Sequence, residues 1–148
     1  MNIVKAFDNA FERAKYKNWD YIYILIDVHG TIFKPSYLNE EKFEFYPYAK
    51  EALQLLSKDP NIKLILWTSS TFEAAMDYGF VLNENKIYFD YFNCNPEVER
   101  QPTDPKTLDL SDKYYFNIGI DDKFGFEPET DWKTIYEYYY TLTILNYK

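Results

Sequence analysis

Residues Tyr21–Phe33, YIYILIDVHGTIF, join an apolar run to a polar turn that contains glycine. The first six residues carry no charge and no breaker, and their β-branched and aromatic side chains predict a strand buried on both faces. Asp27 follows that strand directly, and His29, Gly30 and Thr31 come within the next four positions. Open α/β sheets place their sites at the carboxyl ends of strands. We therefore expect a functional site that begins at Asp27.

Composition and charge narrow the class of protein. A chain of 148 residues suits one domain with its own core, so we treat 1–148 as a single unit. A net charge of −8 without a dense Lys/Arg run argues against non-specific nucleic-acid binding. Cys94 is the single cysteine, which excludes an internal disulfide. Because no apolar run has membrane-spanning length and Met1–Lys17 is charged throughout, we expect a cytoplasmic protein without membrane contact. The oligomeric state stays open.

Helical and strand patterns alternate along the chain. Helices are predicted over Ile3–Tyr16, from Pro47 to Asp59, from Phe72 to about Tyr78 with Gly79 as its end, and from Asp131 to about Leu145. Strands are predicted over Tyr21–Ile26, Ile62–Trp67, Lys86–Tyr91 and Tyr114–Ile120, with Thr141–Leu145 as an alternative strand; 33–46 is predicted as a short flap or loop and Asn93–Asp112 as mostly loop. This alternation predicts a three-layer, Rossmann-like α/β fold around a mainly parallel sheet.

Polar residues follow three of the predicted strands. Asp27, Thr68 and the pair Asp121-Asp122 each come immediately after an apolar run. Because parallel strands end at one edge of their sheet, we expect these residues to meet there. Clustered carboxylates repel one another, and a hard cation with oxygen ligands, such as Mg²⁺, supplies the missing charge. Asp27 would then be a competent nucleophile towards a phosphate, with the Thr68 hydroxyl and the N–H groups of Val28–Gly30 as donors to it.

Three motifs resemble those of the haloacid dehalogenase (HAD) superfamily. Asp27-Val28-His29-Gly30-Thr31 is similar to the first motif, usually Asp-x-Asp-Gly-Thr. Leu64–Thr68 is similar to the second motif, and Ile118–Asp122 to the fourth. Asp121-Asp122-Lys123 followed by Asp131-Trp132 also resembles a compact, capless branch of phosphatase-like proteins. The resemblance implies a HAD fold with the strand order fourth–first–second–third and no large cap domain, since the insertion after Thr31 is too short for one.

The resemblance also implies a function: Mg²⁺-dependent phosphatase-type hydrolysis through an aspartyl-phosphate intermediate, on a phosphorylated substrate of unknown identity. Asp27 would be nucleophile and metal ligand, and the pair Asp121-Asp122 would complete the metal site, with one of the two as ligand and the other as a structural turn acceptor. Thr68 and Ser69 would bind the phosphate, although Thr68 can also be read as a simple helix N-cap. The family's third-motif lysine is assigned to Lys106, which can also be an ordinary surface lysine. Arg100 and Lys113 are kept as alternatives.

His29 departs from the family pattern. The family has an Asp here that protonates the leaving group, and it contacts the metal through its backbone carbonyl, which His29 also supplies. Imidazole, with an ordinary pKa of about 6.5, can exchange protons near neutrality, although a nearby cation favours its neutral form. General acid–base catalysis contributes about 10²–10⁴-fold in rate. The alternative function is therefore a catalytically impaired HAD-like pseudoenzyme that binds metal, phosphate or a protein.

Overall fold

The computed structural model describes residues 1–35, 43–98 and 115–146. Within these ranges the helices are α1 (Ile3–Lys17), α2 (Ala49–Lys58), α3 (Phe72–Glu84) and α4 (Pro128–Asn146), and a 3₁₀ turn covers Asp122–Phe124. The strands are β1 (Ile22–Asp27), β2 (Ile62–Trp67), β3 (Tyr91–Phe92) and β4 (Ile118–Ile120). They form one parallel sheet in the order β3-β2-β1-β4. The predicted Rossmann-like α/β fold and its strand order are confirmed.

The register of the sheet brings the strand ends to one edge. β1 and β2 pair from Ile22 with Ile62 to Asp27 with Trp67. β4 is shorter and pairs with β1 up to Ile26 and Ile120. Asp121, the next residue after β4, is therefore level with Asp27, and Thr68 lies one residue beyond the end of the β1–β2 pairing.

Both faces of the sheet are covered by apolar side chains. Alternate residues of β1 and β2 enter a main core. All four helices contribute to this core, through residues that include Phe7, Leu53, Leu82 and Trp132. On the opposite face Tyr23, Leu25 and Ile65 form a second cluster, and Trp67, Tyr91 and Val98 pack against it. Burial on both faces explains why these strands read as continuous apolar runs.

α3 is longer than the sequence predicts. It does not end at Gly79 but continues to Glu84. Gly79 lies inside the helix, and a Cβ at this position would make an ordinary van der Waals contact with the Phe92 ring, 3.6 Å from Cζ. The N-cap is Thr71, whose hydroxyl oxygen accepts the Ala74 N–H at 3.2 Å. The hydroxyls of residues 68–70 therefore do not cap this helix.

The edge strands differ from the prediction because side chains replace part of the backbone pairing. β3 shares only Tyr91 with the predicted Lys86–Tyr91 and extends to Phe92, and β4 begins at Ile118. Asp90 accepts the Leu64 N–H through its carboxylate at 2.8 Å, and β3 begins only at Tyr91. Asn117 accepts the Tyr23 N–H through its side-chain oxygen at 2.7 Å, and β4 begins only at the next residue. Neither segment therefore continues the ladder in the amino-terminal direction.

The C-terminal segment is helical, so the alternative strand over Thr141–Leu145 is wrong. Thr141 and Thr143 fit the helix because their hydroxyls donate to carbonyls four residues earlier, at 2.8 and 2.9 Å. Trp132, Ile135 and Tyr139 are buried, as the helical spacing predicts. Among the helices of the described ranges, none combines the length and the apolar character that crossing a bilayer requires.

The ends of the predicted flap lie close together. Phe33 and Phe45 form an antiparallel bridge, and their ring centroids are 4.8 Å apart. The Lys34 N–H donates to the Glu44 carbonyl at 2.8 Å. Residues 36–42 lie outside the described ranges, which contain no cap domain.

Candidate active site

Among the described residues, Asp27, Asp121 and Asp122 bring their carboxylates together. One oxygen of each lies within 4.8 Å of the others. Asp27 ends β1, and Asp121 follows β4 and is 6% exposed. Asp122 opens the 3₁₀ turn, and its side chain is exposed. Two of the three strand-end groups that the sequence singles out therefore converge at the carboxyl edge of the sheet.

The Thr31 hydroxyl links two of these carboxylates. It lies 3.0 Å from Asp27 Oδ2 and 3.2 Å from Asp122 Oδ1, and it accepts the Asp122 backbone N–H at 3.1 Å. A hydroxyl has one proton to donate, so it bonds to one carboxylate at a time. Thr31 is fully buried and fixes the distance between the turn after β1 and the turn after β4. The sequence places it in the motif but assigns it no role.

The turn around Thr31 is held from two sides. The Trp132 indole N–H donates to the Thr31 carbonyl at 2.7 Å, which connects the turn to α4. Gly30 has a φ of +81°, which favours glycine, and a Cβ there would lie 3.4 Å from Asp122 Oδ2. Asp131, which precedes the tryptophan, accepts the Glu127 N–H at 2.8 Å at the start of α4. The Asp-Trp pair thus supports the site without entering it.

Burial raises the pKa of Asp27 to about 6, and the negative charge of Asp121 adds to this while the Thr31 hydrogen bond opposes it. Burial likewise raises the pKa of Asp121, with the Lys123 N–H acting in the opposite direction. Both carboxyls therefore favour their protonated form more than an exposed aspartate does. A divalent cation among them would reverse that preference. An all-oxygen, partly buried set of this kind fits Mg²⁺.

Thr68 is held by Asn93 in a defined orientation. Its N–H donates to Asn93 Oδ1 at 2.8 Å, and Asn93 Nδ2 donates to the Thr68 carbonyl at 2.7 Å. The Thr68 hydroxyl accepts the Ser70 N–H at 3.1 Å, and no described residue accepts its own proton, which can be donated to an acceptor such as a phosphate oxygen. Ser69 is exposed beside it. Asn93 is a positioning residue that the sequence does not reveal, since its positive φ of 52° and its contacts appear only in the fold.

The turn Val28–Gly30 offers fewer free donors than expected. The Gly30 N–H donates to the Phe33 carbonyl at 2.9 Å, and the Val28 backbone N–H lies beside the Asp27 carboxylate, where it lowers the Asp27 pKa. Among the described residues, none accepts a hydrogen bond from the His29 backbone N–H. Of the three backbone N–H groups in this turn, that of His29 is therefore the one that can donate to a ligand. The His29 side chain is exposed.

The three candidate cations for the phosphate, Lys106, Arg100 and Lys113, lie outside the described ranges. Within those ranges Lys123 is a basic residue next to the carboxylates. Its N–H donates to Asp121 Oδ1 at 2.9 Å, and its positive charge lowers the Asp121 pKa.

Comparison with known proteins supports the fold and gives no information on the chemistry of the site. No protein-family model matches the sequence, and no curated protein matches it. A solved structure, that of a conserved protein from Bacteroides thetaiotaomicron, is 29% identical to this chain with a TM-score of 0.60. The similarity covers 79% of this chain and 88% of that one. This likeness extends over most of both chains and supports the α/β architecture.

Proposed function

We propose that this protein is a HAD-like, Mg²⁺-dependent hydrolase of phosphate monoesters. The observation that carries the proposal is the carboxylate cluster of Asp27, Asp121 and Asp122 at the carboxyl edge of a parallel sheet. This edge is where α/β enzymes place their sites, and the oxygens suit a hard divalent cation. The motif resemblance supplies the family, and the raised pKa of Asp27 fits a carboxylate that works beside a cation.

Asp27 is the nucleophile in this proposal. One of its carboxylate oxygens attacks the phosphorus, and the bond from phosphorus to the leaving oxygen breaks. Water then hydrolyses the aspartyl phosphate, which releases inorganic phosphate and regenerates the carboxylate. Asp121 and Asp122 would hold Mg²⁺ together with Asp27, and the bound ion would supply charge neutralisation for the phosphate. The Thr68 hydroxyl and the His29 N–H donate to phosphate oxygens, with Ser69 and Lys106 as further contacts.

His29 serves as the acid and base. Its exposed imidazole, two residues after the nucleophile, can give a proton to the leaving oxygen and then take one from the attacking water. The presence of His29 where the HAD motif usually has Asp also favours a second candidate function, a pseudoenzyme that binds cation and phosphate without turnover. The two candidates differ in whether phosphate is released.

The substrate in this proposal is a phosphate carried on a larger molecule. No cap domain covers the carboxyl edge in the described part of the chain. An uncapped site admits a macromolecule, or a partner protein closes it. We place the protein in the cytoplasm, consistent with its single cysteine.

The test is release of phosphate from p-nitrophenyl phosphate with Mg²⁺ and with EDTA. The hydrolase proposal expects Mg²⁺-dependent release that Asp27→Asn abolishes and Asp20→Asn leaves intact, since Asp20 precedes the same strand at the opposite edge. His29→Ala should slow release by about 10²–10⁴-fold. If the wild type releases nothing and His29→Asp gains activity, the pseudoenzyme function is correct instead.

A further inference from the structure

One face of α3 exposes large apolar side chains. Phe72, Met76 and Phe80 are 80%, 46% and 62% exposed, and their spacing of four residues places them on the same side of the helix. Phe92 is 49% exposed and lies beside this row, next to Gly79. We call these four side chains the α3 apolar surface. It contrasts with the buried side of the helix, which enters the core through Leu82.

The size of this surface sets it apart from scattered exposed residues. A phenylalanine side chain offers about 150–250 Å² when fully exposed, so three of them with a methionine give a patch of a few hundred Å². Contiguous patches of that size are about the largest on typical monomers, and they often mark interaction sites.

Acidic residues lie along one flank of the α3 apolar surface. Glu73, Asp77 and Glu84 are exposed, and at about 100° per residue they form a row beside the apolar one. Within the described ranges none of the three forms an ion pair. The net charge of the chain, −8, adds to the negative potential on this side.

We propose that the α3 apolar surface binds a segment of a partner protein that presents apolar side chains flanked by Lys or Arg, as in a basic amphipathic helix. Apolar contact would supply affinity, and the acidic row would select basic neighbours and speed association. A second copy of this chain is a poorer occupant because an antiparallel two-fold pairing of α3 would set acidic row beside acidic row. An anionic membrane surface would be repelled in the same way.

The location of this surface connects it to the candidate active site. α3 starts right after Thr71, three residues beyond Thr68, so Phe72 lies at the carboxyl edge of the sheet. From there the row extends about 12 Å to Phe80, at 1.5 Å per residue. A bound segment would thus start at the edge that holds the carboxylates. Because binding of a segment is measured without any assay of phosphate release, this inference is tested separately from the proposed hydrolysis.

The experiment measures binding of a fluorescent Leu/Lys peptide of about 18 residues, long enough to form an amphipathic helix. The wild type should bind it, and a peptide of the same composition in scrambled order should bind at least about tenfold more weakly. Phe72→Ala/Phe80→Ala should weaken binding at least about tenfold, the change expected for hot-spot residues. Tyr16→Ala, which removes an 87% exposed aromatic from α1, should not.

A second double variant tests the contribution of the acidic row to binding. Glu73→Lys/Asp77→Lys should weaken binding and reduce its dependence on salt. Circular dichroism checks the fold of each variant, and hydrolysis of p-nitrophenyl phosphate should stay at its wild-type value, since these residues lie outside the catalytic set.

The proposal is overturned if the wild type does not bind the ordered peptide, or if Phe72→Ala/Phe80→Ala binds it as the wild type does. It is also overturned if sedimentation shows a wild-type dimer that Phe80→Ala dissociates, because a second copy then covers the surface. Co-sedimentation with anionic phospholipid vesicles that the double variant loses would assign the surface to a membrane instead.

Discussion

The Trp132 indole N–H donates a hydrogen bond of 2.7 Å to the carbonyl oxygen of Thr31, 101 residues earlier in the chain. Both residues are fully buried. The hydroxyl of the same threonine contacts Asp27 and Asp122. The positions of the site carboxylates therefore depend on how α4 packs against the turn after β1.

Trp132→Phe should lower the free energy of unfolding by about 2–3 kcal/mol. The change leaves a buried carbonyl without its donor, which costs about 1–3 kcal/mol, and it opens space in the core. Urea denaturation measures the loss. Trp19→Phe is the matched control, since this tryptophan is only partly buried and should cost less than about 1 kcal/mol. Equal losses in the two variants would contradict a special role for the indole bond.

Thr31→Val should weaken Mg²⁺ binding by about 10–100-fold, the usual effect of removing a group that orients metal ligands. Valine has the same shape but no hydroxyl, so the Asp122 N–H loses its acceptor and the two carboxylates lose their link. Thr31→Ser keeps the hydroxyl and should stay close to the wild type. Isothermal titration calorimetry measures both affinities. If the valine variant binds Mg²⁺ as the serine variant does, the hydroxyl does not position the site.

The fold follows from the sequence where local pattern and tertiary environment agree. β2 occupies the predicted range because its apolar run is buried on both faces, and α1 ends at Lys17 because its C-cap, Asn18, has a left-handed φ of 54°. The sequence predicts the end of α3 incorrectly because glycine is common just after a helix but is also tolerated inside one, and the local pattern does not separate the two cases. The edge strands differ because Asp90 and Asn117 replace backbone acceptors only once the chain is folded.

The candidate site shows the same division. Strand ends and the parallel topology suffice to predict that Asp27, Asp121 and Asp122 meet. The roles of Thr31 and Asn93 cannot be predicted in this way. Threonine and asparagine are common in turns, and nothing in their spacing indicates which groups they will bond to. Their roles depend on contacts between segments that are distant in sequence.

Mg²⁺ should raise the melting temperature of the wild type, because a ligand that binds only the folded state stabilises it by about 2.7 kcal/mol at 100 times its dissociation constant. Asp121→Asn and Asp122→Asn should reduce the shift, since each removes one charge from the cluster. Asp20→Asn should keep it. Thermal unfolding with Mg²⁺ and with EDTA measures the shift. A wild type that does not respond to millimolar Mg²⁺ would contradict the metal site.

The pH dependence of stability without metal tests the burial of Asp27. Its pKa rises from an ordinary value of about 3.9 in the unfolded chain to about 6 in the folded one. Between these values the folded state holds more protons, so this residue makes stability fall as pH rises from about 4 to about 6. Asn does not ionise and escapes this loss. In EDTA at pH 7, Asp27→Asn should therefore be more stable than the wild type by about 1–3 kcal/mol.

Near pH 4 that difference should almost vanish, because Asp27 is then protonated in the folded state. With Mg²⁺ at pH 7 the order should reverse, since the ion stabilises only the chain that keeps the carboxylate. Urea denaturation at both pH values, with EDTA and with Mg²⁺, gives the four comparisons. Asp20→Asn, which alters an exposed residue, should follow the wild type in all of them. If Asp27→Asn is less stable than the wild type in EDTA at pH 7, burial of the ionised Asp27 carboxylate does not destabilise the folded state.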